Sequence, residues 1–440
     1  MALPSLIEIV PLEHPVRAEI TVPGSKSITN RALILAALAE GEVALQGALW
    51  SEDTQIMVEC LYQLGFDVQV ADDPAEFCNR TITVRGLGGK IPKAGTVEKP
   101  LELFVGNAGT AARFLAAFLC LGRGTYRLSG VPRMHERPQA ALFEALRELG
   151  YRVESENGND KLPVRIYGEG PKPGKCRVSI EKSSQFASAL LLSAGMGGWL
   201  VGIVGENAEE SPYVTMTLKL MEVFPKTGGT FQIEPDASSG SYFVGAGELL
   251  GNREGWPITV LDWPLSGWQI DTDFVVALPL HRVLARGGLL DDGVIKLGDS
   301  IMTAIVLAAF IGSGGEFVKF THLGRLRVQE CERVVALRTE LTKCGAKVIE
   351  EGDTLTVWPS ALHGAEIETY NDHRMAMCFA ILGLKVPGIK IKNPSCVKKT
   401  FPNFFQKLAG SPPHGLGAAI WEIKDGVRTR QLSGDDLLAD

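Results

Sequence analysis

The feature that most constrains the fold is a short pattern that recurs along the chain: a helix-like run ending in an apolar residue, then glycine, then a strand-like run. It reads Leu64-Gly65-Phe66-Asp67-Val68, Leu149-Gly150-Tyr151-Arg152-Val153 and Cys344-Gly345-Ala346-Lys347-Val348. Weaker copies stand at Thr227-Gly228, Arg286-Gly287 and Ala409-Gly410. Glycine suits the residue just past a helix because it takes a positive φ without steric cost, ending the helix and returning the chain as a strand. Six such points, roughly 60 to 85 residues apart, predict six copies of one α/β unit, three in each half.

Local periodicity agrees. Before Gly150, Ala141, Leu142, Ala145 and Leu149 fall at helical spacing, while Glu144, Arg147 and Glu148 take the opposite face. After Gly345, the turn Glu350-Glu351-Gly352-Asp353 followed by Thr354-Leu355-Thr356-Val357 predicts a hairpin. A chain of 440 residues suits two domains of roughly 200 residues each. Beyond Gly410, Ser411-Pro412-Pro413-His414-Gly415 reads as a linker. The stretch from Ala418 to Leu432 reads as a hairpin about Lys424-Asp425-Gly426, and the acidic last residues as a loose end.

Composition narrows the partners. The net charge of −7 argues against a general nucleic-acid or membrane binder. The eight cysteines form no CxxC pair and no His/Cys spacing of a zinc site, so buried thiols in a reducing compartment are expected, with no metal. Neither a membrane-length apolar run nor a leader-like N-terminus is evident, and a cytoplasmic monomer is expected.

Against this acidic background, basic and hydroxyl residues gather at helix starts. Pro23-Gly24-Ser25-Lys26-Ser27-Ile28-Thr29-Asn30-Arg31 opens an apolar helix, offering an anion free N–H groups, a dipole and two cations. It is not a Walker loop. Val105-Gly106-Asn107-Ala108-Gly109-Thr110-Ala111-Ala112-Arg113 is a second such start, and Pro132-Arg133-Met134-His135-Glu136-Arg137-Pro138 stiffens two arginines between prolines. Ser183-Ser184-Gln185-Phe186 and Ser211-Pro212-Tyr213 present short polar groups that hold a phosphate or simply cap a helix. The C-terminal half adds Arg327-Val328-Gln329-Glu330-Cys331-Glu332-Arg333, then Tyr370-Asn371-Asp372-His373-Arg374-Met375-Ala376-Met377, then Lys398-Lys399-Thr400-Phe401-Pro402. Any one of these is equally a capped or solvated helix start. Together they predict an anionic-ligand cleft between two domains.

The strings PGSKSITNR, GNAGTAAR, PRMHERP, SSQF, DASSGSYF, TYNDHRMAMC and KKTFP, in this order over nearly the whole chain, resemble the motif series of the EPSP synthase (3-phosphoshikimate 1-carboxyvinyltransferase) family. The resemblance implies an α/β fold: two inverse α/β-barrel domains of enolpyruvyl transferase type, each of three βαβαββ-like units. One domain is expected from 1–22 and 235–410, the other inserted at 23–234, with 411–440 as a C-terminal extension. The implied reaction moves the enolpyruvyl group of phosphoenolpyruvate to the 5-hydroxyl of shikimate 3-phosphate by addition then elimination, in chorismate and aromatic amino-acid biosynthesis. Glyphosate is the implied competitor, and no cofactor is implied.

By similarity, Lys26, Gly109, Arg137, Gln185, Arg333, Arg374 and Lys399 hold phosphoenolpyruvate. Lys26, Ser27, Arg31, Ser183, Ser184, Gln185, Ser211 and Asp299, with Arg325 and Gln329, face the acceptor. The implied catalytic set is Lys26, Asp299, Glu330, His373 and Lys399. Asp299 would accept or orient the acceptor hydroxyl proton. Glu330, helped by Lys26, would protonate the methylene carbon and later remove that proton. His373 would orient Glu330 or a neighbour, and Lys399 would follow the departing phosphate. Domain closure is expected to assemble these groups.

Three departures stand out. Arg325 and Gln329 occupy positions where the family has Asn and Lys, Phe114 stands where Pro is common, and the segment from Asp262 to Asp292 is unusual. The first suggests a paralogue with another acceptor, and the second an altered response to glyphosate. A UDP-N-acetylglucosamine enolpyruvyl transferase would carry Lys-Asn at Lys26-Ser27 and a reactive loop cysteine, and a non-catalytic anion-binding relative is the remaining alternative.

Overall fold

Gly65, Gly150 and Gly345 take φ of 89°, 84° and 88° in the computed structural model of the chain. Each follows a helix (Glu52–Gln63, Ala140–Glu148, Arg333–Lys343) and precedes a strand (Val68–Asp72, Arg152–Ser155, Lys347–Glu351). A Cβ on Gly150 would meet nothing within 4 Å, so the left-handed backbone alone asks for glycine there. Gly410 differs, with φ −57°: there the backbone of Gly415 passes so close that its Cβ would lie 2.2 Å from the Gly410 carbonyl. The structure describes residues 3–205, 211–251, 258–278, 289–290, 297–311 and 316–439. The expected turn at Arg286-Gly287, and much of the segment from Asp262 to Asp292, lie outside the described residues.

The chain divides into two compact units, Pro23–Glu234 and Met1–Val22 joined with Pro235–Asp440. Within the first, the strands Leu101–Phe104, Arg123–Ser129, Val164–Glu169 and Arg152–Ser155 form a sheet in that spatial order, one parallel pair followed by antiparallel neighbours. The parallel pair requires a crossover, supplied by the helix Gly109–Leu119. Gly229–Gln232, Glu40–Leu49, Asn79–Leu87 and Val68–Asp72 repeat the same order, and Gly174–Ser179 runs parallel to Trp199–Val204. In the second unit Leu289–Leu290, Val318–Phe320, Thr354–Trp358 and Lys347–Glu351 repeat it again. Ala18–Ile20 pairs in parallel with Ile258–Val260.

Helices Gly109–Leu119 and His373–Gly383 are buried at every residue. A helix apolar on all sides must lie in a core. Strands such as Val164–Glu169 alternate buried with half-exposed residues, so they present one face outward. Each unit therefore holds a helix in its core, while helices such as Glu52–Gln63 and Ala140–Glu148 keep one exposed face.

The C-terminal end corrects an expectation. The hairpin expected over Ala418 to Leu432 forms, but the segment is no loose appendage: Ile420–Lys424 pairs antiparallel with Leu6–Ile9, and Val427–Leu432 completes a five-stranded sheet with Glu366–Ile367 and Ile389–Lys392. The hairpin turns at Asp425 and Gly426, both at positive φ. Leu437 is fully buried and the Ala439 N–H donates to the Pro402 carbonyl at 3.0 Å. The hairpin covers what would otherwise be an open strand edge at Leu6–Ile9.

Candidate active site

In the Pro23–Glu234 unit, the helices Lys26–Leu38, Gly109–Leu119 and Gln185–Gly197 pack on one another. Their mutual side-chain contacts lie close to their starts. Arg31 Nη2 donates to Ser188 Oγ at 3.1 Å, the Arg31 guanidinium lies 5.2 Å from the Phe114 ring centroid, and Arg113 Nη1 donates to Gln185 Oε1 at 2.6 Å. All these residues fall within the first two turns, so the three N-termini stand side by side, where unpaired N–H groups and dipoles favour an anion. Lys26, Gly109 and Gln185 open the three helices.

Arg137 lies across Gly109 and donates from Nη1 to the Asn107 carbonyl at 3.1 Å. Lys26 Nζ is 3.1 Å from Oδ2 of the buried Asp53. Ser183 Oγ accepts from the Gln185 N–H at 3.2 Å, Ser184 is buried, Ser27 is half-buried, and Ser211 is the exposed first residue of the helix Ser211–Val223. Arg31, expected at the acceptor, is 2% exposed. Its guanidinium donates to Thr217 Oγ1, Ser188 Oγ and the Ser27 carbonyl, tying helices together around Phe114.

A Cβ on Gly109 would approach Cζ of Arg137 to 2.8 Å. Because a side-chain terminus can yield where backbone cannot, Gly109→Ala is expected to fold normally while displacing Arg137. Where Arg137 holds phosphoenolpyruvate, as the motif resemblance implies, the expected result is a KM for it raised by about 10-fold with an unchanged melting temperature. An unchanged KM would separate Arg137 from that ligand.

In the other unit the helices Ala237–Leu250, Ile301–Ala308 and His373–Gly383 pack on one another, with Arg333–Lys343 beside Ile301–Ala308, and charge gathers at several of their starts. Asp299 precedes the helix Ile301–Ala308, Arg333 opens Arg333–Lys343, and Asp372 caps His373–Gly383 by accepting from the Arg374 N–H at 2.9 Å. Arg333 is 1% exposed and gathers these starts: Nε donates to Asp372 Oδ2 at 2.7 Å, Nη2 to Glu330 Oε2 at 2.9 Å, and Nη1 to Asp299 Oδ1 at 3.3 Å and to Gln329 Oε1. Arg374 Nη2 reaches Asp299 Oδ2 at 2.8 Å and Nη1 donates to Tyr242 OH at 3.0 Å. Lys399 Nζ donates to Glu330 Oε1 at 3.1 Å.

Burial works to raise the Asp299 pKa, but Arg374, Arg333 and Arg325 outweigh it and hold the carboxyl at about 2. Such a group is a carboxylate throughout the neutral range and a weak base. Of the two roles expected for it, orienting a hydroxyl suits this geometry better than accepting a proton.

The structure thus brings Asp299, Arg325, Gln329, Glu330, Arg333, Arg374 and Lys399 into one network. His373 Nδ1 lies 3.7 Å from Oδ1 of Asp372, the cap of its own helix. Arg325 and Gln329 have internal partners: Arg325 Nη2 donates to the Gly298 carbonyl at 2.7 Å with Nη1 3.6 Å from Asp299 Oδ1, and Gln329 bonds Arg333. Sequence reasoning missed Asp53, Asp372 and Tyr242 as partners. Tyr242 lies inside the DASSGSYF string and Asp372 inside TYNDHRMAMC, where Asp before a helix start is a capping residue, whereas Asp53 lies in none of the strings.

A sequence model of the family described as EPSP synthase (3-phosphoshikimate 1-carboxyvinyltransferase) matches residues 11–278 and 289–408. The chain belongs to the EPSP synthase family. Among similar curated proteins, the 3-phosphoshikimate 1-carboxyvinyltransferase of Opitutus terrae is 38% identical over 437 residues, covering 93% of this chain and 98% of the relative. That of Vibrio cholerae is 38% identical over 428 residues, covering 90% and 96%. Among solved structures, EPSP synthase from Acinetobacter baumannii superimposes with a TM-score of 0.70 at 20% identity, over 95% of this chain and all of that one. The enolpyruvyl transferase NikO from Streptomyces tendae gives 0.65 at 16% identity, over 96% and 99%. These two likenesses are of fold, and they bear out the enolpyruvyl transferase architecture implied by the sequence motifs. The strings PGSKSITNR, GNAGTAAR, SSQF and TYNDHRMAMC coincide with helix starts described above, where the family's sequence signal meets the polar and charged clusters.

Proposed function

We propose that the protein transfers the enolpyruvyl group of phosphoenolpyruvate to the 5-hydroxyl of shikimate 3-phosphate. The acceptor oxygen adds to C2 of phosphoenolpyruvate while C3 takes a proton. Loss of one C3 proton and of phosphate then restores the double bond. The observation that carries this reading is the network that joins the buried Arg333, Arg374 and Lys399 to the half-buried Asp299 and Glu330, in a chain of the EPSP synthase family. A doubly anionic three-carbon substrate requires such a concentration of cations, and a leaving phosphate requires one that can follow it.

Lys26, Gly109, Arg137 and Gln185 of one unit and Arg333, Arg374 and Lys399 of the other are assigned to phosphoenolpyruvate. Ser27, Ser183, Ser184, Ser211 and Asp299 are assigned to the acceptor, with Arg31, Arg325 and Gln329 placing them. Glu330, within reach of Lys399, is assigned to proton transfer at C3. The internal bonds of Arg325 and Gln329 give those departures a role that needs no different acceptor. Glyphosate is assigned to the phosphoenolpyruvate position, and action as a cytoplasmic monomer belongs to the same proposal. No helix among the described residues is long and apolar enough to cross a membrane.

The deciding experiment is phosphate release. Phosphoenolpyruvate alone should give none, and addition of shikimate 3-phosphate should give release matched by an enolpyruvyl ether product. Release only with UDP-N-acetylglucosamine, or with no acceptor tried, would overturn the assignment.

A further inference from the structure

Glu340 is fully buried, and nothing in the reaction just proposed uses it. It stands seven residues after Arg333 on the helix Arg333–Lys343, two turns on and on the same face. Both of its oxygens are engaged. Oε1 accepts from Tyr370 OH at 2.8 Å and from Lys343 Nζ at 2.9 Å. Oε2 accepts from the Glu368 backbone N–H at 3.1 Å and from Lys343 Nζ at 2.8 Å. Glu340 therefore grips two points of the loop that ends in Asp372.

That loop is strained. Tyr370 and Asn371 are consecutive non-glycine residues at φ 55° and 54°, a region that a tyrosine keeps only where its surroundings hold it. The far side of the loop is tied down by Thr369 Oγ1 donating to the Lys392 carbonyl at 2.9 Å and by Asn393 Nδ2 donating to Asn371 Oδ1 at 3.1 Å. Glu340 supplies the ties on the near side. Directly after the strained pair, Asp372 takes Arg333 on both oxygens, at 2.7 and 3.3 Å, and caps the helix that carries Arg374.

We propose that Glu340 is a positioning residue for the two arginines assigned to phosphoenolpyruvate. It locks the 368–372 loop so that Asp372 holds the fork of Arg333 and the helix start of Arg374 in one orientation. One helix thus supplies both Arg333 and the group that fixes the counter-ion of Arg333. The inference rests on the reading of Arg333 as a phosphoenolpyruvate contact.

The test uses the full chain and three variants. Glu340→Gln keeps the shape but turns an amide toward groups that donate, and Tyr370→Phe removes one bond from an exposed ring and leaves the buried carboxylate in place. Both should raise the KM for phosphoenolpyruvate, about 5- to 20-fold in Glu340→Gln and about 2- to 5-fold in Tyr370→Phe, with the KM for shikimate 3-phosphate within about 2-fold of wild type. Arg333→Lys is the control and should raise the phosphoenolpyruvate KM more than either. A lowered melting temperature with both KM values unchanged would make Glu340 a purely structural residue and overturn the inference. A raised KM in Arg333→Lys alone overturns it too, whereas no change in Arg333→Lys overturns the reading beneath it. Should Glu340→Gln fail to fold, Tyr370→Phe decides.

Discussion

Arg333→Met should lose enolpyruvyl transfer by about 10³-fold or more and should lower stability by about 3–5 kcal/mol. The two effects have one cause. Arg333 is 1% exposed and faces Asp372, Glu330 and Asp299 at 2.7, 2.9 and 3.3 Å. Removing its charge leaves buried carboxylates with fewer counter-ions, a state far costlier than an absent surface pair. Methionine fills much of the volume, so the loss reads out charge and not a cavity. Arg333→Lys keeps a cation but not the planar fork, and it should recover much of the stability while recovering little of the rate. Denaturant unfolding and acceptor-dependent phosphate release measure the two arms. If Arg333→Met unfolded at the wild-type midpoint, the buried network could not be what holds these helix starts together.

Much of this architecture is legible in the sequence because its signals are local. A positive φ after a helix demands glycine wherever it occurs, so Gly65, Gly150 and Gly345 mark the repeat without reference to any partner. The charged candidates are legible for a similar reason: each sits within a few residues of a helix start, where composition changes abruptly. What stays hidden depends on distant partners. The tail is part of a sheet because Ile420–Lys424 finds Leu6–Ile9, at the other end of the chain. Arg31 looks like an exposed basic residue until Thr217, 186 positions later, receives its Nε. Arg374 meets Tyr242 across 132 positions and Arg333 meets Asp372 across 39. Buried charges are paired by tertiary structure, and no local pattern announces which carboxylate each arginine takes.

Asp299→Asn should reduce turnover by about 10²- to 10⁴-fold, and its effect on stability should depend on pH in a direction that can be worked out. Asp299 is held at about 2, below its ordinary value near 3.8, because Arg374, Arg333 and Arg325 together outweigh its burial. A carboxyl whose pKa is depressed by folding adds stability that is complete above the ordinary value and disappears as pH falls through the depressed one. The window is therefore about pH 4 down to about pH 2, and the contribution above it is roughly 2 kcal/mol. Wild type should be more stable than Asp299→Asn at pH 6, and the gap should close as pH is lowered through that window. A gap that stays constant from pH 6 to pH 2 would remove Asp299 as the anion balancing the three arginines. The same balance bears on mechanism. A ligand carboxylate or phosphate that draws Arg333 or Arg374 away from Asp299 weakens what holds its pKa down, making Asp299 a stronger base only once the arginines are occupied. The variant should then bind inorganic phosphate more tightly than wild type, because the arginines no longer have an internal carboxylate to give up.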